Sequence, residues 1–350
     1  ECGPGSRVAG RFRIVYPTVD ADSIAIRCEI PKLFKYRFVT SQQMFTEGEF
    51  RVLTVLHGER TVSELATQLD RSLSYTSELV DRLEATGLIE TRRQGKAKQV
   101  QPSDAKALEL LTDITQEYSH IEWSELLSGA TLRVLYHLET PRVATELARR
   151  AAVHRSTVHR ALDPLQHRGI IYQTDDDAYA LNEGFEQLST LAQELAHHLH
   201  RQTVEQHTDT YTILWESLDE FLVQTADEIT DNVFIPTGPE QFQTYDLPLL
   251  ARDRRYYLYS ETTSNIPPAT LCCHMLVIDS GARTQSYCLL LLSHVDVDRD
   301  ELRTQATKYG VDDLVEALLT YLDTSGEQRT TRLTEWEEFQ ELAADYGVTV

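Results

Sequence analysis

The chain has 350 residues, of which 41% are hydrophobic and 25% are charged, and its formal net charge is −22. This composition is typical of a globular protein with two or three domains, and it excludes a disordered chain. Apolar runs such as Leu289–Leu292, which reads as a buried strand, are far too short to span a membrane. No signal or transit peptide is recognisable, so we expect a cytoplasmic protein without membrane contact. The five cysteines have no disulfide or metal-binding spacing, and we expect reduced, buried thiols and no metal.

The negative charge is concentrated in the last third of the sequence. Residues 211–350 include 25 acidic and nine basic residues, whereas 44–102 and 123–182 are close to neutral. The net charge therefore does not exclude DNA binding by these two segments. Lysine supplies only six of the 33 basic residues. Such an acidic, lysine-poor surface resembles that of proteins from salt-accumulating archaea, where acidity serves solubility.

Residues 1–43 precede Met44, the first methionine, and form an N-terminal extension of uncertain status, for which a place outside the working fold stays open. The first recognisable unit is 44–102. It predicts a helix, a second helix that begins with the capping box of Thr61 and Glu64, a tight turn, and a third helix that ends before Gly87. The predicted helices are Thr46–Leu56, Val62–Leu69 and Ser74–Thr86. Short strands at 88–90 and 99–100 then flank a basic tip, which indicates a hairpin.

Residues 103–122 read as a linker with one amphipathic helix, Ser103–Ile121. After it, the first unit recurs at 123–182. A shift of 82 residues aligns the triplets Arg51-Val52-Leu53 and Glu64-Leu65-Ala66 with Arg133-Val134-Leu135 and Glu146-Leu147-Ala148. The same shift aligns Gly87 with Gly169. The third helix of this second copy contains Pro164, so we expect that helix to be short or kinked.

Two helices, a turn, a third helix and a hairpin form the order of a winged helix-turn-helix. The segments T-V-S-E-L-A (61–66) and L-V-D-R-L-E-A-T-G-L-I-E (79–90) resemble those of MarR-like and TrmB-like archaeal regulators. The resemblance covers about 60 residues in each copy, and the second copy departs from it in the wing and at Pro164. It implies tandem DNA-binding units that recognise double-stranded DNA, each through its third helix.

In the first unit, the N-terminal residues of the third helix offer hydroxyls to DNA, and the wing offers cations. The expected contacts are Ser72, Ser74, Tyr75, Thr76, Ser77, Arg92, Arg93, Lys96 and Lys98.

The second unit reverses this division, because its third helix is basic and its wing, Asp175-Asp176-Asp177, is acidic. The expected contacts there are His154, Arg155, Ser156, Thr157, His159 and Arg160. Metal binding by these histidines is disfavoured, because no Cys or carboxylate has ligand spacing. We interpret the cluster His197, His198 and His200 in the same way, as an exposed polar face.

Residues 183–210 predict a long helix with an apolar stripe, which needs a partner surface. The stripe could pack on the winged helices of the same chain or on a second chain. Regulators of this class dimerise through such helices, so we predict a homodimer.

Residues 211–350 predict an acidic α/β domain that senses an effector or binds a partner. We expect a helix at Tyr211–Asp231, strands at 232–236, 254–260, 271–279 and 286–292, and helices at 301–309, 311–323 and 334–346. Arg252, Arg254 and Arg255 form its basic cluster, a speculative site for a small anionic effector. We attribute Cys272, Cys273 and His274 to the core, and Asp298 or Asp300 to a helix cap.

The expected fold is α+β, with two tandem winged helix-turn-helix domains followed by an α/β domain. The function this predicts is DNA-binding transcription regulation without a cofactor. One alternative is an interaction module whose winged helices bind proteins, since the domain order resembles that of abortive-infection antitoxins. A catalytic C-terminal domain is the third hypothesis, and the absence of a P-loop, a GxGxxG or a GxSxG motif speaks against it.

Overall fold

The computed structural model describes residues 44–95, 97–249 and 254–350. The predicted extension 1–43, Lys96 and Arg252 lie outside this part of the chain. The fold mixes helices with three small antiparallel sheets, which confirms the α+β class. No helix of the described part is both long enough and apolar enough to cross a membrane.

The first unit has the predicted order of elements, and its second and third strands are longer than expected. Its sheet has the order β1-β3-β2, with both pairs antiparallel. The elements are α1 (Glu47–Val55), β1 (Arg60–Thr61), α2 (Val62–Gln68), α3 (Leu73–Ala85), β2 (Ile89–Gln94) and β3 (Ala97–Pro102).

Reciprocal caps set the starts of the first two helices. Thr61 Oγ1 accepts from the Glu64 amide at 3.1 Å, and the Glu64 carboxylate accepts from the Thr61 amide at 2.7 Å. The capping box predicted there is confirmed. Thr46 and Glu49 form the same arrangement at the start of α1. Each box satisfies amides that have no partner within the helix, so the chain enters both helices at a fixed residue.

The second unit repeats the first in register. Its α7 and α8 begin and end 82 residues after α2 and α3, and its sheet has the order β4-β6-β5. The turn between each helix pair contains a left-handed residue at the same place, Asp70 with φ 52° and Ala152 with φ 52°. The elements are α6 (Thr131–Leu135), β4 (Arg142–Val143), α7 (Ala144–Arg150), α8 (Arg155–His167), β5 (Ile171–Gln173) and β6 (Ala178–Leu181).

The sequence predicts a short or kinked third helix in the second unit, and the corresponding helix, α8, is not short. It has 13 residues, as many as α3, and it continues for three residues beyond Pro164. The proline removes one backbone donor. Leu162 and Leu165 on either side of it are fully buried, and this packing holds the last turn in helical form.

The connecting helices join the units into one core. They are α4 (Lys106–Glu117), α5 (Trp123–Leu126) and α9 (Gln187–Glu205). The predicted apolar stripe of α9, including Leu188, Leu191 and Leu195, is buried against α4 and α6 of the same chain. Packing within one chain, the first of the two expected alternatives, therefore covers this face without a second copy.

The C-terminal domain places a four-stranded antiparallel sheet, β7-β8-β10-β9, next to a layer of helices. Its strands are β7 (Tyr211–Glu216), β8 (Phe221–Thr225), β9 (Phe234–Thr237) and β10 (Arg255–Tyr259), and a 3-10 helix follows β9 at Pro239–Tyr245. Its helices are α10 (Pro268–Ile278), α11 (Ala282–His294), α12 (Arg299–Tyr309), α13 (Asp312–Asp323) and α14 (Trp336–Asp345). Asp298 caps α12, as one of the two predicted alternatives.

Three predictions for this domain are wrong. Residues 211–231 form the hairpin of β7 and β8 and not a helix, because their aromatic and β-branched side chains favour strands. Residues 271–279 and 286–292 lie in α10 and α11 and not in strands. Helix α10 is buried along most of its length, and the second half of α11 is an unbroken buried apolar run, Cys288–Leu291. A short apolar run of this kind has no periodic pattern to distinguish a helix from a strand.

We predict that Ala152→Gly stabilises the protein. Ala152 is exposed and left-handed, a conformation that costs alanine about 1 kcal/mol more than glycine. Part of this gain is offset by the greater freedom of glycine in the unfolded chain, so we expect a net gain of roughly 0.5 kcal/mol. Denaturant unfolding measures it. Asp70→Gly is the matched control and should gain less, since aspartate tolerates this region; equal gains would contradict the explanation.

We also predict that the protein loses stability as the pH falls from about 6.5 to about 4. Burial lowers the pKa of His137 from 6.5 to about 4, so the folded state keeps it neutral while the unfolded chain takes up a proton. Each such histidine contributes a slope of about 1.4 kcal/mol per pH unit in this window. Unfolding measured across the window should have a shallower pH dependence in His137→Gln. Identical slopes for the variant and the parent chain would refute this role.

Candidate nucleic-acid interface

The start of α3 presents most of the predicted hydroxyls to the surface. Ser72 caps the helix through its side-chain oxygen, and Ser72, Ser74 and Tyr75 are exposed. Ser77 is half-buried. Thr76 is a wrong prediction, because its side chain is fully buried and its hydroxyl donates to the Ser72 carbonyl at 3.1 Å.

Leu73 is not among the contacts expected from the sequence, because it falls between the predicted helices Val62–Leu69 and Ser74–Thr86. It is the first residue of α3, and 55% of it is exposed. The sequence pattern that could have indicated it is a leucine between two serines at the start of α3. An apolar side chain at that position does not belong to the core pattern of the helix.

The hairpin of β2 and β3 carries the predicted cations of the first unit. Arg92 and Arg93 are exposed, and neither has an ion-pair partner within the described residues. Because adjacent strand residues point to opposite sides, the two guanidinium groups flank the hairpin. Such a pair of free cations suits contact with a phosphate backbone.

Lys98 differs from the prediction of a free cation. Its Nζ donates to Asp81 Oδ1 at 2.7 Å and to Glu84 Oε2 at 3.0 Å, both on α3. Burial lowers the pKa of Lys98, but these hydrogen bonds outweigh the burial and raise its pKa above the usual value. The ammonium therefore joins the hairpin to α3, and its charge is already neutralised by the two carboxylates.

In the second unit the predicted residues gather at the first two turns of α8. His154 caps the helix, its Nδ1 accepting from the Ser156 amide at 3.2 Å. Arg155, Ser156 and Arg160 are exposed, and the guanidinium of Arg160 approaches the hydroxyl of the half-buried Thr157 at 3.4 Å.

His159 faces the wing of the second unit. It is half-buried, and its Nδ1 lies 2.9 Å from the hydroxyl of Tyr179 on β6. A cavity of about 200 Å³ opens beside this pair, and Arg155 and Asp177 also line it. Asp177 of the acidic wing therefore offsets part of the positive charge of Arg155. Arg160 does not line this cavity.

The two described arginines of the predicted effector cluster have different partners. Arg252 lies outside the described residues. Arg254 Nη1 donates to Gln224 Oε1 at 3.4 Å, whereas Arg255 forms an ion pair with Glu228 at 3.8 Å. An anion at this position would compete with Glu228 for Arg255.

The histidines of α9 do not form an exposed polar face. His197 and His200 contact the carboxylate of Glu216 on β7 at 3.0 and 3.1 Å, and His200 is only 6% exposed. His198 Nε2 donates to the carbonyl of Thr86 at 2.8 Å, at the end of α3. Within the described residues, no group of three or more His, Cys, Asp or Glu side chains has the geometry to hold a metal ion.

Cys272, Cys273 and His274 are buried in α10, in keeping with a core role. Burial raises the pKa of Cys273 well above its usual value, which leaves the thiol protonated and unreactive. His274 pairs through Nδ1 with the Thr237 hydroxyl at 2.7 Å, and burial lowers its pKa to about 3.

The turn between β7 and β8 links the C-terminal domain to the second unit. Asp219 accepts two hydrogen bonds from the Arg133 guanidinium, at 2.8 and 2.5 Å. Arg133 Nε also donates to the carbonyl of Ala151 at 3.1 Å, in the turn before α8. Next to Asp219, Glu220 accepts from Lys308 on α12 at 2.5 Å. A chain of polar contacts therefore runs from α12 to the turn that precedes α8.

Three family models match separate parts of the chain. Residues 44–107 are similar to a family described as HVO_A0114, and residues 231–348 to one described as HVO_2833_C, C-terminal. Residues 131–175 are similar to the IclR helix-turn-helix domain. This last match spans α6 to β5, and therefore both helices that flank the turn of the second unit. No curated protein matches the chain.

Proposed function

We propose that this protein is a transcription regulator that binds double-stranded DNA through both of its helix-turn-helix units. The observation that carries the proposal is the similarity of residues 131–175 to the IclR helix-turn-helix domain, together with exposed arginines on the helix that would read DNA. The names of the other two families point to haloarchaea, in agreement with the acidic, lysine-poor composition.

The two units contact DNA differently in this proposal. The first places Arg92 and Arg93 of its hairpin on the phosphate backbone, with the serines of α3 in the major groove. The second places Arg155 and Arg160 of α8 in the groove and keeps its acidic hairpin away from phosphate. High salt weakens each ionic contact, so a regulator working in salt gains from having two units on one chain.

The C-terminal domain serves as the sensing or partner-binding part, and the protein has no catalytic role. The contact of Asp219 with Arg133 supports this division, because it places the domain against the turn that precedes α8. We further propose that the protein acts as a homodimer, which would match a two-fold operator. Since α9 is already buried, the dimer surface would lie elsewhere.

The test is DNA binding by the full chain to a duplex from its own upstream region, measured over a range of salt concentrations. We predict that Arg92→Ala/Arg93→Ala and Arg155→Ala/Arg160→Ala each weaken binding by roughly tenfold at fixed salt. Each should also reduce the slope of log K against log salt by up to about 2, because a complex with two fewer cations on the DNA releases fewer counterions when it forms.

The matched control is Arg283→Ala/Arg332→Ala, which removes the same charge from exposed positions in the C-terminal domain. It should leave affinity nearly unchanged. If both interface variants behave like this control, the assigned contact surface is wrong. If the parent chain binds no duplex at any salt concentration, the proposal of a regulator gives way to the alternative of a protein-interaction module.

A further inference from the structure

Leu73 is the most exposed large apolar residue in the described part of the chain. It is 55% exposed, and the next is Tyr172 at 44%. Four of the five such residues lie on the helix-turn-helix units, and the fifth is the last residue of the chain. Exposed leucine is common on proteins, so its position carries the argument more than its exposure. That position is the first of α3, where a recognition helix meets base edges.

The surroundings of Leu73 are polar and open. A groove of about 770 Å³ lies between α2 and α3, and Leu73 lines it together with Arg71, Ser72 and Thr67. Tyr75 follows two residues later in α3. Its hydroxyl packs so close to α1 that a Cβ on Gly48 would lie 2.6 Å from it. Tyr75 is therefore held by the helix bundle, whereas Leu73 is free to contact a ligand. The carboxylate of Asp70 also lines the groove, next to Arg71. A leucine isolated among hydroxyls and one charge of each sign fits a polar ligand that carries small apolar groups.

The second unit has a different residue at this position. The shift of 82 residues places Arg155 where the first unit has Leu73, each as the first residue of its helix. The two helices have equal length, and both ends of α8 lie 82 residues after those of α3. The difference between them is therefore one of chemistry at a shared position, with an apolar group in one unit and a cation in the other.

We propose that Leu73 is a specificity-determining residue that contacts the C5-methyl groups of thymine in the major groove. This inference rests on the proposed function of DNA binding. The thymine methyl is the apolar group that base pairs present in that groove, and only A·T pairs have it. Duplex DNA also suits the arginines of the same unit, Arg92 and Arg93, which an apolar protein partner would leave unpaired. The first unit therefore selects thymine at the base that Leu73 contacts. At the equivalent position, the second unit contacts its base through Arg155.

The experiment removes the methyl group from the DNA and the leucine from the protein. The upstream duplex is amplified with either dTTP or dUTP, which gives two fragments of one sequence that differ only in the thymine methyls. Binding of the full chain to both is compared for the parent, for Leu73→Ala and for Arg155→Ala. Because Leu73 is exposed and alanine favours helix, Leu73→Ala should fold, and thermal unfolding checks it.

We expect the parent chain to bind the uracil duplex more weakly by about fourfold for each methyl contacted, the value of one buried methylene. Leu73→Ala should lose affinity for the thymine duplex and should no longer distinguish the two fragments. Arg155→Ala should weaken binding to both fragments by the same factor and keep the parent ratio.

Two results would overturn the inference while leaving DNA binding intact. One is tight binding of both fragments with equal affinity by the parent chain. The other is a preference for thymine that persists in Leu73→Ala, since groove shape and not the leucine would then be the cause. If the parent chain binds neither fragment, both the inference and the proposed function fail, and Leu73 belongs to a protein contact.

Discussion

Helix α9 is the constraint on which the arrangement of the other parts depends. Its apolar face is buried with α4 and α6, and successive polar residues on its other sides reach each part of the chain. Gln193 donates to the Tyr136 carbonyl in the second unit at 3.1 Å, and His198 donates to Thr86 in the first. His197 and His200 contact Glu216 of the C-terminal sheet. One rigid helix therefore sets the distances between three parts that the sequence presents as separate.

The contact of α9 with the first unit is closest at the end of α3. Gly87 has φ 71°, and a Cβ there would lie 2.6 Å from the side chain of Gln202. Glycine is needed at this residue both for its left-handed conformation and for the approach of α9. The end of α3 is in this way fixed by the connecting helix α9, whereas the turn before α8 is reached by the C-terminal domain through Arg133. The Arg133 side chain is only 9% exposed. A substitution of Asp219 would therefore destabilise this second link, because it would leave a nearly buried charge without its carboxylate partner.

The sequence predicted the helices and turns of the two units well because their signals are local. The capping box of Thr61 and Glu64 and the glycine after α3 each depend on residues close together in the chain. The 82-residue shift then carries the same reading over to the second unit without any tertiary information. The predictions for 211–231, 271–279 and 286–292 failed for a physical reason: burial on all sides erases periodicity, and aromatic strands can mimic an amphipathic helix. At the candidate interface, the residue types could be read from the sequence, but the partners of their side chains could not. The sequence therefore could not show that Thr76 points inward, that Lys98 is paired with Asp81 and Glu84, or that the histidines of α9 bind other elements.

The pairing of Lys98 has a mechanical consequence. It clamps β3 to the outer side of α3, and Thr91 on β2 adds a hydrogen bond to Glu84 of the same helix. The hairpin of β2 and β3 is therefore held at a fixed distance from α3. A flexible hairpin could adapt to duplexes of different groove widths. A hairpin at a fixed distance from α3 fits only a duplex that has the matching groove width or that reaches it by bending. In the proposed complex with DNA, the first unit would therefore select a duplex by its groove width as well as by base contacts.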